Sequence, residues 1–216
     1  MITRRLFLAG GSAAALFASI ASIAPSAARS GDEGLYRDVF DPDSSFIRIL
    51  APGQSFAAVD GKTIRDFTSG LSGYVNVMPG PITVSFSASS IDFVVAPSSH
   101  YTVVVPAQGE PLVTQDMLEM SPAKCDVTVF NLTPQPALSL YVPLAKAVAI
   151  DNLEPVESRS VALKAPLTLD LELRDGSQAL ATIAAVELKR KTGVTIVLTE
   201  LDGTYSAAAV PNFYIR

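Results

Sequence analysis

Phe46-Ile47-Arg48-Ile49-Leu50-Ala51-Pro52 opens a series of short apolar runs, and Val127-Thr128-Val129-Phe130-Asn131-Leu132-Thr133-Pro134 repeats it in the second half of the chain. Two more segment pairs match in the same order: residues 81–86 with 166–171, and residues 101–105 with 194–198. Each copy has the length of one small domain. The repeat therefore predicts two tandem domains of the same fold.

Runs of five or six β-branched and apolar residues recur at short spacing throughout both copies. Asp60-Gly61, Asp175-Gly176 and Asp202-Gly203 lie between such runs, and Asp-Gly favours the positive φ angles of a tight hairpin. No long window has helical periodicity, although the alanine-rich residues 182–191 are compatible with a helical turn. The predicted fold class is all-β: two tandem antiparallel β-sandwich domains.

Residues 1–30 have the features of an export signal. Arg4-Arg5 precedes an apolar stretch over residues 6–24, and Ser26-Ala27-Ala28 supplies small residues for cleavage. The pattern resembles a bacterial twin-arginine signal; an ordinary secretory signal and an uncleaved membrane anchor are the alternatives. We expect a signal peptide at 1–30, an N-terminal domain with an extended arm at 31–118, a linker at 119–124 and a C-terminal domain at 125–216.

The charge of the chain argues against binding to nucleic acid or to anionic lipid. Removal of residues 1–30 takes away Arg4, Arg5 and Arg29 and no acid, so the formal net charge falls from −5 to −8. An acidic chain has no general attraction for phosphate groups. No later segment is long and apolar enough to span a membrane, so we expect no stable span after cleavage.

Few residues in the sequence are candidates for catalysis or metal binding. Cys125 is the only cysteine, and we expect it to be a small structural residue at the start of a strand. His100 is the only histidine; an esterase would pair it with Ser99, but no Gly-x-Ser-x-Gly elbow occurs, so we expect a structural role. The acidic residues that follow the signal are not spaced as a calcium loop: Asp32, Glu33, Asp38, Asp41 and Asp43. We predict no catalytic residue, no metal and no cofactor.

The segment after the signal carries a family resemblance. Gly31-Asp32-Glu33-Gly34-Leu35-Tyr36 precedes an acidic spacer, and Ser45-Phe46-Ile47-Arg48-Ile49 follows it. This arrangement resembles the AlgF family of alginate O-acetylation proteins, whose pattern has Gly-x-Leu-Tyr and then a Ser-x-Phe-Val-Arg-Val-like strand. The resemblance extends to Pro79-Gly80, to residues 101–104 and to Asn131-Leu132, whereas Ala51-Pro52 replaces the usual Asn-containing turn and the second domain is divergent.

The resemblance implies a non-catalytic periplasmic adaptor that assists O-acetylation of a secreted exopolysaccharide, either alginate-like or cellulose. The implied partners are a membrane-bound O-acyltransferase, SGNH-type acetyltransferase proteins and the polysaccharide itself. Leu35 and Tyr36 are the candidate partner-binding residues, because an apolar pair on a polar arm can enter a groove or extend a sheet edge. Packing of this pair on its own domain is an equal alternative.

Two other functions remain open from the sequence. A stand-alone carbohydrate-binding module would use Tyr and Phe side chains as its platform, since the chain has no Trp. A weak esterase would need Ser99 and His100, whose sequence context lacks the elbow described above.

The export route is testable by substitution. If Arg4 and Arg5 form a twin-arginine signal, Arg4→Lys with Arg5→Lys leaves the precursor in the cytoplasm, as cell fractionation would reveal. Unchanged export of the double variant would instead identify an ordinary secretory signal.

Overall fold

The computed structural model describes residues 40–87 and 89–215, and it confirms the all-β fold class. The first half has ten strands: β1 Ser45–Leu50, β2 Ala57–Val59, β3 Lys62–Ile64, β4 Phe67–Thr68, β5 Leu71–Ser72, β6 Tyr74–Val77, β7 Gly80–Ser85, β8 Ser90–Val95, β9 His100–Val104 and β10 Leu112–Gln115. The expected hairpin at Asp60-Gly61 joins β2 to β3, and both residues have positive φ.

The second half continues with longer strands: β11 Lys124–Asn131, β12 Leu138–Val142, β13 Ala147–Leu153, β14 Ser158–Lys164, β15 Leu167–Asp175, β16 Gln178–Leu188, β17 Thr192–Leu201, β18 Thr204–Pro211 and β19 Tyr214–Ile215. A short 3₁₀ turn at Pro143–Ala145 precedes β13. The alanine-rich stretch that was compatible with a helical turn lies in β16 and the turn after it. Ile183, Val186 and Leu188 pack there against a β-sheet core, which outweighs the helix propensity of alanine.

The two halves share one strand order. The first half has the order β10-β9-β1 with β5 and β6 beyond β1, and a second sheet in the order β3-β2-β7-β8. The second half repeats this as β18-β17-β11-β14 and β13-β12-β15-β16. In both halves the opening strand pairs parallel with a later strand, β1 with β9 and β11 with β17. The repeat seen in the sequence therefore corresponds to a repeat of topology.

Each half buries its own apolar core between its two sheets. Ile47 and Ile49 of β1 face the first core, and Val127 and Val129 of β11 face the second, so alternate residues of each opening strand point inward. The parallel pairing shows which residues of the two halves correspond, because Ile47 pairs with Tyr101 and Val127 pairs with Val194.

A third buried cluster lies where the halves meet, and we call this region the seam. The first half contributes Leu50, Leu71 and Val104, and the second contributes Phe130, Val197 and Val210, each no more than 2% exposed. These side chains lie on the sheet faces opposite to the two cores. The outer faces of the β1 and β11 sheets therefore pack directly on each other.

Arg48 lies in the seam and is only 1% exposed. Its Nε donates to Thr102 Oγ1 at 2.8 Å within the first half. Its Nη1 donates to Thr195 Oγ1 at 2.6 Å and to Asn212 Oδ1 at 2.9 Å in the second half. Its Nη2 lies 3.4 Å from Asp116 Oδ2. One buried guanidinium thus contacts both halves of the chain.

The counter-ion of Arg48 has its own hydrogen bonds. Asp116 accepts from Thr102 Oγ1 at 2.7 and 2.9 Å and from the Tyr74 hydroxyl at 2.7 Å. Burial raises the pKa of Tyr74 well above 10.0, so this phenol remains a donor. The Arg48 guanidinium also lies 4.5 Å from the centre of the Tyr74 ring.

The end of the chain also crosses the seam. β19 pairs parallel with β6, with Tyr214 beside Tyr74 and Ile215 beside Val75, so the last strand belongs to the first sheet. Residues 119–123 of the linker predicted at 119–124 lie between β10 and β11, and Lys124 begins β11. The division into domains at 31–118 and 125–216, each folding alone, stays a prediction.

Substitution at Arg48 tests the importance of this network. Arg48→Met leaves the Asp116 carboxylate buried without its cation, so we expect the unfolding free energy to fall by about 3–5 kcal/mol in urea titrations. Arg65→Met, at an exposed arginine, is the control and should change stability by no more than about 0.5 kcal/mol.

A double substitution separates charge from packing. Arg48→Met with Asp116→Leu removes both buried charges, so this variant should be more stable than Arg48→Met alone. Equal or lower stability of the double variant would contradict an ion pair at the seam.

Candidate functional site

The predicted partner-binding residues Leu35 and Tyr36 lie outside the described residues, as does the predicted export signal at 1–30. Of the acidic residues after the signal, Asp41 and Asp43 are described, and the Asp43 amide donates to Asp41 Oδ1 at 2.9 Å in a local turn. Within residues 40–87 and 89–215, no group of three or more His, Cys, Asp or Glu side chains could hold a metal ion. The same residues include no helix long and apolar enough to cross a bilayer.

Five rings meet at the edge of the seam, and we call them the aromatic cluster: Phe40, Phe46, Tyr74, His100 and Tyr214. Phe46 is central, with ring centres 5.1 Å from Phe40, 4.8 Å from His100 and 5.0 Å from Tyr214. Strands β1, β6, β9 and β19 place four of these rings, because the strands are neighbours in one sheet. The parallel pairing of β1 with β9 puts Phe46 directly beside His100.

Ser99 and His100 do not form a nucleophile–base pair. The Ser99 hydroxyl donates to the Pro97 carbonyl at 3.0 Å, and His100 Nε2 lies 3.0 Å from the Tyr214 hydroxyl. The ring of His100 stacks on Phe46 at an interplanar angle of 21°. Both side chains thus take part in local structural contacts.

Burial gives His100 an altered protonation equilibrium. Its pKa is lowered from the ordinary 6.5 because burial disfavours the imidazolium, an effect that Asp116 partly opposes. His100 is therefore a neutral ring at pH 7, which suits its place among aromatic side chains.

An open cleft of about 450 Å³ lies beside the aromatic cluster. The segment that follows β10 forms one wall, and β14 forms the other through Ser160, Val161 and Ala162. Asp126 holds that first wall, because its carboxylate accepts from the amides of Glu119 at 3.1 Å and Met120 at 3.0 Å. Met117 and Met120 remain exposed at 75% and 58%. Flexible exposed methionines suit contact with another molecule.

Cys125 lies near the start of β11, as predicted, and is fully buried in the second core. Burial raises the pKa of its thiol above 9.0, so the group stays protonated. The side chain acts as a small apolar residue and offers no reactive thiolate.

The sequence did not indicate that Arg48, Asp116 and Asn212 form one group. A signal for Arg48 was present, since it is the only charged residue in the apolar run 46–50. A charged side chain in such a run must find a buried partner. The partners lie 54 to 164 residues away in the sequence, so their identity required the three-dimensional structure.

Comparison with known proteins agrees with the resemblance in the sequence. A family model described as alginate O-acetyl transferase AlgF matches residues 16–195. The alginate biosynthesis protein AlgF of Pseudomonas aeruginosa PAO1 is 27% identical over 184 residues, which are 84% of each chain. A structure of the C-terminal domain of AlgF from P. aeruginosa matches 42% of this chain and 99% of that one, at 24% identity and a TM-score of 0.37. That structural likeness is too slight to bear on the fold.

The lowered pKa of His100 predicts a pH dependence of stability. The unfolded chain binds the proton more tightly than the folded protein, so the unfolding free energy falls as the pH drops through 6.5. Urea titrations between about pH 7.5 and 5.5 should show a smaller fall for His100→Gln than for the unsubstituted protein. Because His100 is the only histidine, its ring can be titrated directly by NMR. A folded-state pKa above 6.5 would contradict this account.

Proposed function

Because the chain belongs to the AlgF family of alginate O-acetylation proteins, we propose that it is a non-catalytic adaptor of exopolysaccharide acetylation. It works in the periplasm and holds the acetylating proteins and their polymer in reach of each other. Tethering of this kind raises the effective concentration of each component without any new chemistry.

The observation that carries the proposal is the state of the two side chains that an esterase would need. The Ser99 hydroxyl donates to a backbone carbonyl, and His100 Nε2 contacts the Tyr214 hydroxyl. A serine nucleophile needs a base within hydrogen-bond reach, and His100 is engaged elsewhere. The family description includes the word transferase, so the adaptor proposal differs from a literal interpretation of that name.

The seam gives the adaptor a fixed internal geometry. Arg48 contacts Thr102 and Asp116 on one side and Thr195 and Asn212 on the other, all in a buried position. A link of this kind keeps the surfaces of the two halves at a constant separation. Such pre-organisation lowers the entropic cost of binding two partners at once.

The proposed partners follow from the family. They are a membrane-bound O-acyltransferase and SGNH-type acetyltransferase proteins, and the polymer is alginate-like. The matched relative from P. aeruginosa is named for alginate biosynthesis, which favours alginate over cellulose. The export signal predicted at 1–30 favours a periplasmic location.

Leu35 and Tyr36 are the proposed anchor for a partner protein. They are an apolar pair within an acidic segment, and apolar anchors provide most of the energy of a protein contact. Their alternative role, packing on the protein itself, predicts a loss of stability when they are removed.

Alanine substitution distinguishes these roles. Leu35→Ala with Tyr36→Ala should keep the unfolding free energy within about 1 kcal/mol, yet lower polymer acetylation in cells and weaken co-purification of the acetyltransferase proteins. Leu144→Ala with Leu201→Ala is the matched control, because both leucines are 76% exposed. The control should leave acetylation unchanged. Normal acetylation by the Leu35 and Tyr36 variant would remove the pair from the proposed function.

A further inference from the structure

Asp126 is a buried acid for which the described residues supply no cation. It lies on the face of β11 that points to the seam, because the next residue, Val127, faces the second core. Its side chain is buried, and among the described residues no basic nitrogen lies within ion-pair distance of its oxygens. Asp116, the other buried acid of the seam, has Arg48 beside it at 3.4 Å. This region therefore holds two buried carboxylates and one guanidinium.

The hydrogen bonds of Asp126 leave acceptor capacity on its carboxylate. Oδ1 accepts from the Glu119 amide at 3.1 Å, and Oδ2 accepts from the Met120 amide at 3.0 Å. A carboxylate offers about four acceptor positions, so each oxygen can accept one more bond. Backbone amides are polar but carry no net charge. A cation placed beside this buried carboxylate would therefore be favourable.

Two lysines lie in the same region but do not neutralise Asp126. Lys124 precedes it by two residues on β11, and its Nζ lies 2.9 Å from Glu119. Lys191 lines a smaller cavity of about 240 Å³ together with Asp126, yet it is exposed and forms no ion pair with that acid. The counter-charge can therefore come only from outside the described residues.

Asp126 also lines the open cleft of about 450 Å³ beside the aromatic cluster. That volume falls in the range of about 300–1,000 Å³ that is usual for ligand pockets. Gln115 and Ser160 line the same cleft and add neutral side-chain oxygens. Met117 and Met120 add exposed, flexible apolar side chains. The cleft thus combines one buried acid, neutral acceptors and apolar surface.

We propose that this cleft binds an arginine side chain of a partner protein, with the guanidinium beside Asp126 and the aliphatic stem against Met117 and Met120. The inference rests on the proposed function and deepens it, because it gives the adaptor a second contact surface besides Leu35 and Tyr36. Arginine fits better than lysine, since its planar fork of five donors pairs with a carboxylate and with neutral acceptors at once. The formal net charge of −5 also favours the approach of a basic segment.

A substitution on the neighbouring strand tests the need for a cation without any ligand. Ala162 of β14 is the register partner of Asp126 and lines the same cleft. Ala162→Arg places a guanidinium within reach of that carboxylate, because cross-strand Cβ atoms are about 5 Å apart. We expect its Tm to be about 2–4 °C above that of Ala162→Met, the uncharged control of similar length. An equal or lower Tm would overturn the proposal.

Binding is tested by NMR titration of the purified protein with N-acetyl-arginine N-methylamide. The ring signals of His100, the only histidine, should shift in a saturable manner, because this residue lines the cleft. Asp126→Asn should raise the Kd about tenfold. Asp66→Asn, at an exposed acid elsewhere, is the matched control and should leave the Kd within about twofold. Ala162→Arg should abolish binding, since its own guanidinium then occupies the cleft.

Three results of the titration would overturn the proposal: no saturable shift with the arginine probe, an equal Kd for Asp126→Asn, or equally tight binding of N-acetyl-norleucine N-methylamide. The last result would identify an uncharged apolar occupant. In cells, Ala162→Arg should weaken co-purification of the acetyltransferase proteins, and undiminished co-purification would overturn the assignment of a partner protein.

Failure of this inference differs from failure of the adaptor proposal. If only the cleft is misassigned, the unsubstituted protein and Ala162→Arg co-purify the acetyltransferase proteins equally well. If the adaptor proposal is wrong, the unsubstituted protein does not co-purify them at all. The Tm comparison and the titration use the purified protein alone, so their outcomes do not depend on the acetylating proteins.

Discussion

The buried guanidinium of Arg48 is the constraint on which the arrangement of the two halves depends. A cation removed from water must have both a counter-charge and hydrogen-bond acceptors, or the fold loses several kcal/mol. Asp116 supplies the charge, and Thr102, Thr195 and Asn212 supply acceptors. Because these residues come from both halves, the buried guanidinium ties the position of one half to that of the other. The polar contacts thereby specify how the apolar faces around Leu50 and Phe130 meet.

The packing of the two halves relates the repeated topology to the proposed adaptor function. Two copies of one topology would ordinarily be a string of two small domains, each with a modest core. Here apolar residues on the outer face of each sheet are buried together at the seam, and β19 returns to pair with β6. The product is a larger body with a cleft beside the seam. A body of this kind can present several surfaces at fixed distances, which is the property an adaptor needs.

Local features of the chain were predictable from the sequence, and contacts across the seam were not. Alternating runs such as residues 46–50 and 194–198 predicted strands, and Asp-Gly pairs predicted hairpins, because both depend on near neighbours. The parallel pairing of β1 with β9, and the network around Arg48, depend on residues far apart in sequence.

We propose that this member of the AlgF family assists acetylation without performing it. The most direct test is the acetyl-ester content of the polymer secreted by cells whose only copy of the protein carries Ser99→Ala with His100→Gln. We expect the same ester content as for the unsubstituted protein at equal protein levels, because both side chains serve local structural contacts. Loss of acetylation with normal levels of the folded variant would contradict the account and would indicate a catalytic role for this pair.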